Sequence, residues 1–230
     1  MAILVGDIHG NVEKAEAFLS FKPEAEHVAL GDYLDSYSEP PSRQLKTLQL
    51  LLDSSAVLLW GNHDLAYLKI PPFGCPGVQP DAPYAPLIEA NKFRFKAAYA
   101  VDSWLCTHAG VHVGITMHAS NIDSLAGRLN RGLADYLKNP RSRHENIWAR
   151  GRSRGGIARR GGIFWFDYLR EIGLAMEFKQ IFGHTPASQP IKGKTYLALN
   201  TDDDSRDCWL FDTSNDELVK IELSPRRMKY

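Results

Sequence analysis

Three times in the first 64 residues an apolar run stops at a glycine followed by Asp or Asn. Ala2–Val5 precedes Gly6-Asp7-Ile8-His9-Gly10, His27–Leu30 precedes Gly31-Asp32-Tyr33-Leu34-Asp35, and Ala56–Trp60 precedes Gly61-Asn62-His63-Asp64. The stretches between them, Asn11–Phe21 and Ser42–Leu52, repeat apolar residues at helical spacing (Val12, Ala15, Leu19; Leu45, Leu48, Leu52). Strand, helix, strand, helix, strand implies parallel pairing. All three strand ends then leave on one sheet edge, so polar residues 25 positions apart (Asp7, Asp32) and 30 apart (Asp32, Asn62) converge there.

The 230 residues are read as one α/β domain, residues 1–230, with a substantial core. Lys plus Arg equals Asp plus Glu at 27 each, so charge alone points to neither a nucleic-acid nor a membrane partner. The N-terminus has no basic lead and a four-residue apolar run, too short for a signal-peptide core, and no run reaches membrane-spanning length. A cytoplasmic protein is expected. Cys75, Cys106 and Cys208 are odd in number and lack any Cys-x-x-Cys pair, which argues against a disulfide framework or zinc ribbon and for reduced, structural thiols.

Beyond the third block, six prolines between Pro71 and Pro86 predict a loop at the cleft rim. Ile88–Ala98 reads as a helix, Tyr99–Thr107 as a strand and Ile122–Leu137 as a helix. Arg141–Arg160, with seven arginines and several glycines, reads as a mobile loop. Gln180–Gly183 reads as a buried strand. Thr195–Asn200, Asp207–Asp212 and Leu218–Leu223 alternate, the last two joined by Ser214-Asn215-Asp216, which predicts an antiparallel second sheet.

Asp7 and His9 are two apart, so on an extended strand end both point the same way and can hold one metal ion. His108 in Thr107-His108-Ala109-Gly110 and His184 in Gly183-His184-Thr185 also follow expected strands. Oxygen from Asp and Asn with nitrogen from His, and no thiolate, suits Mn, Fe, Co or Zn better than Ca or Mg.

With Gly-Asp-x-His-Gly, Gly-Asp-x-x-Asp, Gly-Asn-His, His-x-Gly and Gly-His-Thr in this order, residues 6 to about 201 resemble the calcineurin-like metallophosphoesterases. The resemblance is to the branch shared by phosphoprotein phosphatases and symmetrical diadenosine tetraphosphatases. It implies a two-sheet α/β sandwich, with mixed central sheets flanked by helices, and two divalent metal ions, Mn first, with Fe, Zn or Co as alternatives. Asp7, His9 and Asp32 would hold the first metal, and Asp32 would bridge to a second held also by Asn62, His108 and His184. His63 would be the general acid, oriented by Asp35. The implied reaction is phosphomonoester hydrolysis by a metal-bridging hydroxide, on a phosphorylated small molecule or phosphoprotein. The alternatives are a symmetrical dinucleoside polyphosphate hydrolase, with Trp60 or the proline-rich loop stacking a base, and a catalytically silent metal-bound binding module.

The sequence also departs from the family. Pro186 replaces the last histidine of Gly-His-x-His, as in the phosphoprotein-phosphatase branch. Ser36 and Trp60 stand where two phosphate-clamping arginines are usual. One lost guanidinium fork is worth on the order of 2 kcal/mol of oriented binding. Arg150, in Ile147-Trp148-Ala149-Arg150, is the expected replacement. Asp64 is expected to cap the following helix or brace its loop, and His112, His118, His27 and His144 to lie at the surface or in packing.

Overall fold

The first strands are apolar on both faces because both faces are covered. The computed structural model describes residues 1–70, 73–79, 81–116, 119–140, 145–201 and 207–223. Ala2–Val5 (β1), Glu26–Ala29 (β2), Val57–Leu59 (β3) and Phe95–Lys96 (β4) pair in parallel in that order. Ile3 and Val5 pack with Ala15 and Phe18 of Val12–Ser20 (α1) and Leu48 and Leu51 of Pro41–Asp53 (α2). Ala2 and Leu4, one residue out of phase, meet Cys106, Ile181 and Leu197 of the other sheet. Asn11 caps α1 by accepting the Lys14 N–H at 2.9 Å. Asn62–Ala66 (α3) and Ala85–Ala90 (α4) follow β3.

The second sheet contains Ala98–Val101 (β5), Trp104–Thr107 (β6), Lys179–Phe182 (β7), Ile191–Lys192 (β8) and Tyr196–Ala198 (β9), in the order β5-β6-β7-β9-β8. It is mixed: β6, β7 and β9 are parallel, while β5 and β8 pair antiparallel to their neighbours. Between β6 and β7 lie Val113–Thr116 (α5), Ile122–Lys138 (α6) and Glu145–Trp148 (α7), with α6 packed on β5 and β6. The layers are thus helices, sheet, sheet, helix, as the α/β sandwich reading requires. Among the described residues no helix is long and apolar enough to cross a membrane.

Four expectations need correction. Asp207–Asp212 (β10) and Glu217–Glu222 (β11) form the expected hairpin, but β10 adds antiparallel to β1 of the first sheet. Alternation marks a hairpin without saying which edge it joins; here Leu210 and Phe211 bury on opposite faces, as an interior strand does. Tyr99–Thr107 is broken into a hairpin at Asp102-Ser103, with Asp102 at φ +50. Helix ends at Ala90, and Phe95 turns into β4, where its ring lies 4.4 Å from that of Trp60; tertiary packing outweighs the helical spacing. The described part of Arg141–Arg160 is built rather than loose: Trp148 is fully buried and stacked on Phe164 at 5.6 Å. Two of its glycines are close-approach positions, since a methyl at Gly151 would overlap Glu171 Oε1 and one at Gly156 would overlap Arg150 O. Residues 141–144, and with them His144, lie outside the described residues, as does His118.

Candidate metal centre

The carboxyl ends of β1, β2, β3, β6 and β7 meet at one edge, and each delivers the side chains expected of it. Donor atoms of Asp7, His9 and Asp32 lie within 4.8 Å of one another, as do those of Asp32, His108 and His184, so Asp32 is common to both groups. Asn62 Oδ1 sits 2.9 Å from His108 Nε2. His9 Nδ1–H donates to Leu34 O at 2.8 Å and His108 Nδ1–H to Leu30 O at 2.9 Å. That leaves each Nε2 facing the carboxylates, 3.9 Å (His9) and 3.4 Å (His108) from Asp32 Oδ2.

The backbone around these side chains is unusual. His9, Asp32, Asp35 and His184 all have φ between +44 and +67, the left-handed region that residues with a Cβ seldom occupy. Asp32 is fixed there by Asp64, whose buried carboxylate accepts the N–H groups of Asp32 (2.8 Å), Tyr33 (3.0 Å) and Gly61 (3.1 Å). Asp64 is thus a brace, as expected. Asp7 is held by the His184 N–H at 3.0 Å and by Asn200 Nδ2 at 2.7 Å.

The donor set fits metal. Among the described residues His184 Nε2, which is buried, has no hydrogen-bond partner, and neither has Asn200 Oδ1. Burial, with His108 and Arg154 nearby, holds the His184 imidazole neutral, the form that ligates. Burial and Asp32 raise the Asp7 carboxyl despite His108. Burial also opposes ionisation of Asp32, but His108 and His63 hold its carboxyl far below the ordinary range. Burial would strip His108 of its proton, yet Asp32 and Asp7 push its pKa up to about 9. Without metal, protons supply the countercharge these carboxylates need.

Beside the donors, His63 Nδ1 lies 3.0 Å from Asp35 Oδ2, and the His63 backbone N–H donates to Asp32 Oδ1 at 2.9 Å. A cleft of about 410 Å³ opens over these groups, lined also by Tyr37, Cys75, Pro76, Arg154, Trp165 and Asn200. Cys75 and Pro76 bring the proline-rich loop to the rim, as expected. Trp60 does not reach the cleft; it is fully buried against Phe95. Arg150 lies with its guanidinium 5.5 Å over the Trp165 ring, whereas Arg154 lines the cleft, 3.1 Å from Asp167 and donating to Thr185 Oγ1 at 2.7 Å. His112 belongs to neither donor group; its ring lies 5.6 Å from Phe166.

Sequence reasoning missed Asn200, Arg154 and Tyr67, whose hydroxyl donates to Asp35 Oδ1. Asn200 carried the same signal as the others, a polar residue just past an apolar strand. Arg154 carried none, because only the fold tells it from its neighbours.

A cold-active protein-tyrosine phosphatase of a psychrophile Shewanella sp., 15% identical, superposes with TM-score 0.63 over 95% of this chain and 76% of its own. A protein serine/threonine phosphatase from Saccharomyces cerevisiae with similarity to human phosphatase PP5, 11% identical, gives 0.55 over 99% and 81%. At those identities the likeness is one of fold. No curated protein matches the sequence. The profile of the calcineurin-like phosphoesterases matches residues 2–188, and it spans every donor residue gathered at the sheet edge. The chain therefore belongs to the calcineurin-like phosphoesterase family and is a metal-dependent phosphoesterase.

Proposed function

We propose that the chain, as one unit over residues 1–230, is a two-metal phosphomonoesterase with Mn as the expected metal and Fe, Zn or Co as the alternatives, acting in the cytoplasm. The observation that carries this reading is the pair of donor groups that share Asp32. Asp7, His9 and Asp32 would hold one ion; Asp32, Asn62, His108 and His184 would hold the other. When bound, such a pair supplies a water acidified to serve as nucleophile near neutral pH and positive charge for the phosphoryl oxygens.

The chain's own residues do the rest. His63 Nδ1–H donates to the Asp35 carboxylate, which leaves Nε2 facing the cleft to hand a proton to the leaving oxygen. Arg154 supplies the charged fork missing at Ser36 and Trp60; Thr185 and Asp167 hold its side chain, so little freedom is lost on meeting phosphate. Arg150, the replacement expected from the sequence, is assigned to backing the Trp165 wall of the cleft.

Parallel assays of p-nitrophenyl phosphate, a phosphopeptide and diadenosine tetraphosphate with Mn test the substrate. Monoester preference is expected; preference for the dinucleotide overturns it, and two bound ions with no turnover make the protein a binding module. Arg154→Ala should raise KM for p-nitrophenyl phosphate about tenfold or more, a fork being worth at least 1.4 kcal/mol. A larger rise for Arg150→Ala would return the clamp to that residue.

A further inference from the structure

Asp35 holds His63, and something must hold Asp35. Its carboxylate is joined to the chain by a torsion with a broad, roughly two-fold profile. With His63 as sole partner, that carboxylate could swing or exchange oxygens. Its backbone is pinned at φ +62, with the N–H donating to Gln44 Oε1 at 2.8 Å. Its side chain has one donor on each oxygen: His63 on Oδ2 and the Tyr67 hydroxyl on Oδ1. His63 and Tyr67 are four residues apart around α3, so both face the same side and flank the carboxylate.

Tyr67 is itself fixed. Its ring is buried and meets Tyr84 edge-on at 5.5 Å. Its oxygen accepts the Gln79 N–H at 3.3 Å, from the segment that carries Cys75 and Pro76 into the cleft wall. Cys75 Sγ in turn lies 3.7 Å from His63 Nε2. The cleft wall and the proton-delivering imidazole are thus set by one chain of contacts that passes through the Tyr67 hydroxyl.

We infer that Tyr67 is a positioning residue: by donating to Asp35 Oδ1 it locks the carboxylate so that His63 Nε2 is aimed at the leaving-group oxygen. This rests on the reading of His63 as proton donor. Tyr67→Phe keeps the ring against Tyr84 and removes only the hydroxyl. A series of substituted phenyl phosphates, assayed with Mn, separates positioning from a structural part, since poor leaving groups need the proton and 4-nitrophenolate hardly does. Tyr67→Phe should lower kcat about tenfold on the least acidic leaving groups, the loss of one hydrogen bond to a charged group, and less than about twofold on p-nitrophenyl phosphate. KM and bound Mn should not change.

An equal fall across the series, or none, overturns the inference. His63→Asn, run alongside, keeps the two readings apart. If His63→Asn leaves the leaving-group dependence unaltered, the role of His63 itself fails. If His63→Asn steepens it and Tyr67→Phe does not, only the positioning role fails. In the His63→Asn background, adding Tyr67→Phe should cost no further rate, and an added tenfold loss would also refute it.

Discussion

Gly61 has no side chain because Asp32 occupies the space one would need. A methyl group there would overlap Asp32 Oδ1 and lie 2.8 Å from Asp32 Cγ, against ~3.5–4.0 Å for carbons at their best separation. The Gly61 backbone is extended (φ −99, ψ 168), which alanine adopts freely, so Gly61→Ala acts by volume alone. Asp32 would have to retreat by about 1 Å, and a misplacement of that size in an active site costs about 10²-fold in rate. The retreat cannot stay local. Asp32 is the residue shared by both donor groups, and its Oδ1 also accepts the His63 N–H. Gly61→Ala is therefore expected to lower kcat on p-nitrophenyl phosphate about 100-fold. Titration calorimetry of the metal-free protein should show Mn affinity down by about tenfold or more. Urea unfolding should show a loss of about 1–3 kcal/mol for the overpacking. A folded Gly61→Ala protein that binds Mn and turns over within about twofold of the parent would refute the reasoning.

Three other outcomes are expected. Asp64→Asn replaces an acceptor of three buried N–H groups by one that turns an amide N–H toward them, so urea unfolding should show a loss of about 1–3 kcal/mol, and a change under about 0.5 kcal/mol contradicts the brace. Asn200→Ala removes the shorter of two hydrogen bonds to Asp7 Oδ2, leaving only the His184 N–H at 3.2 Å, and should weaken Mn binding about 10–100-fold; unchanged affinity removes Asn200 from the support of the site. In the metal-free protein, Asp32 and Asp7 outweigh burial and hold His108 protonated up to about pH 9, so metal must displace that proton. Mn affinity should then rise with pH toward that value, with proton release seen as buffer-dependent heat at pH 7; an isotherm indifferent to pH and buffer speaks against it.

What could be read from the sequence is what local pattern controls. Asp7, Asp32 and Asn62 each sit one residue past a glycine that ends an apolar run, so chain order alone put them on one edge. His108 and His184 announced themselves in the same way. The reading failed where the fold brings distant segments together. Phe95 left its helical pattern to pair beside β3, and β10 chose the free edge of β1, neither of which leaves a mark in local periodicity. Trp60 looked like a platform because it stands next to Gly61 in sequence, yet a strand's successive side chains point to opposite faces, and it turns inward. Arg150 and Arg154 are alike in a Gly-rich stretch, and only Asp167 and Thr185 tell them apart. Tyr67 showed as one more apolar residue, because its hydroxyl matters only once Asp35 arrives from 32 residues away.

The left-handed backbone of His9, Asp32, Asp35 and His184 carries a consequence for how this protein tolerates change. Each such residue is strained by about 1 kcal/mol relative to glycine at the same torsions. Two of them are also acids in a cluster that needs metal or protons to offset it. Activity and robustness therefore pull in opposite directions at this sheet edge. In His9→Gly the strain relieved offsets the lost hydrogen bond to Leu34 O, so the metal-free protein should unfold within about 1 kcal/mol of its parent while it loses the ion. A screen for thermal tolerance alone would pass such dead variants, so selection of sturdier forms must score turnover in the same step.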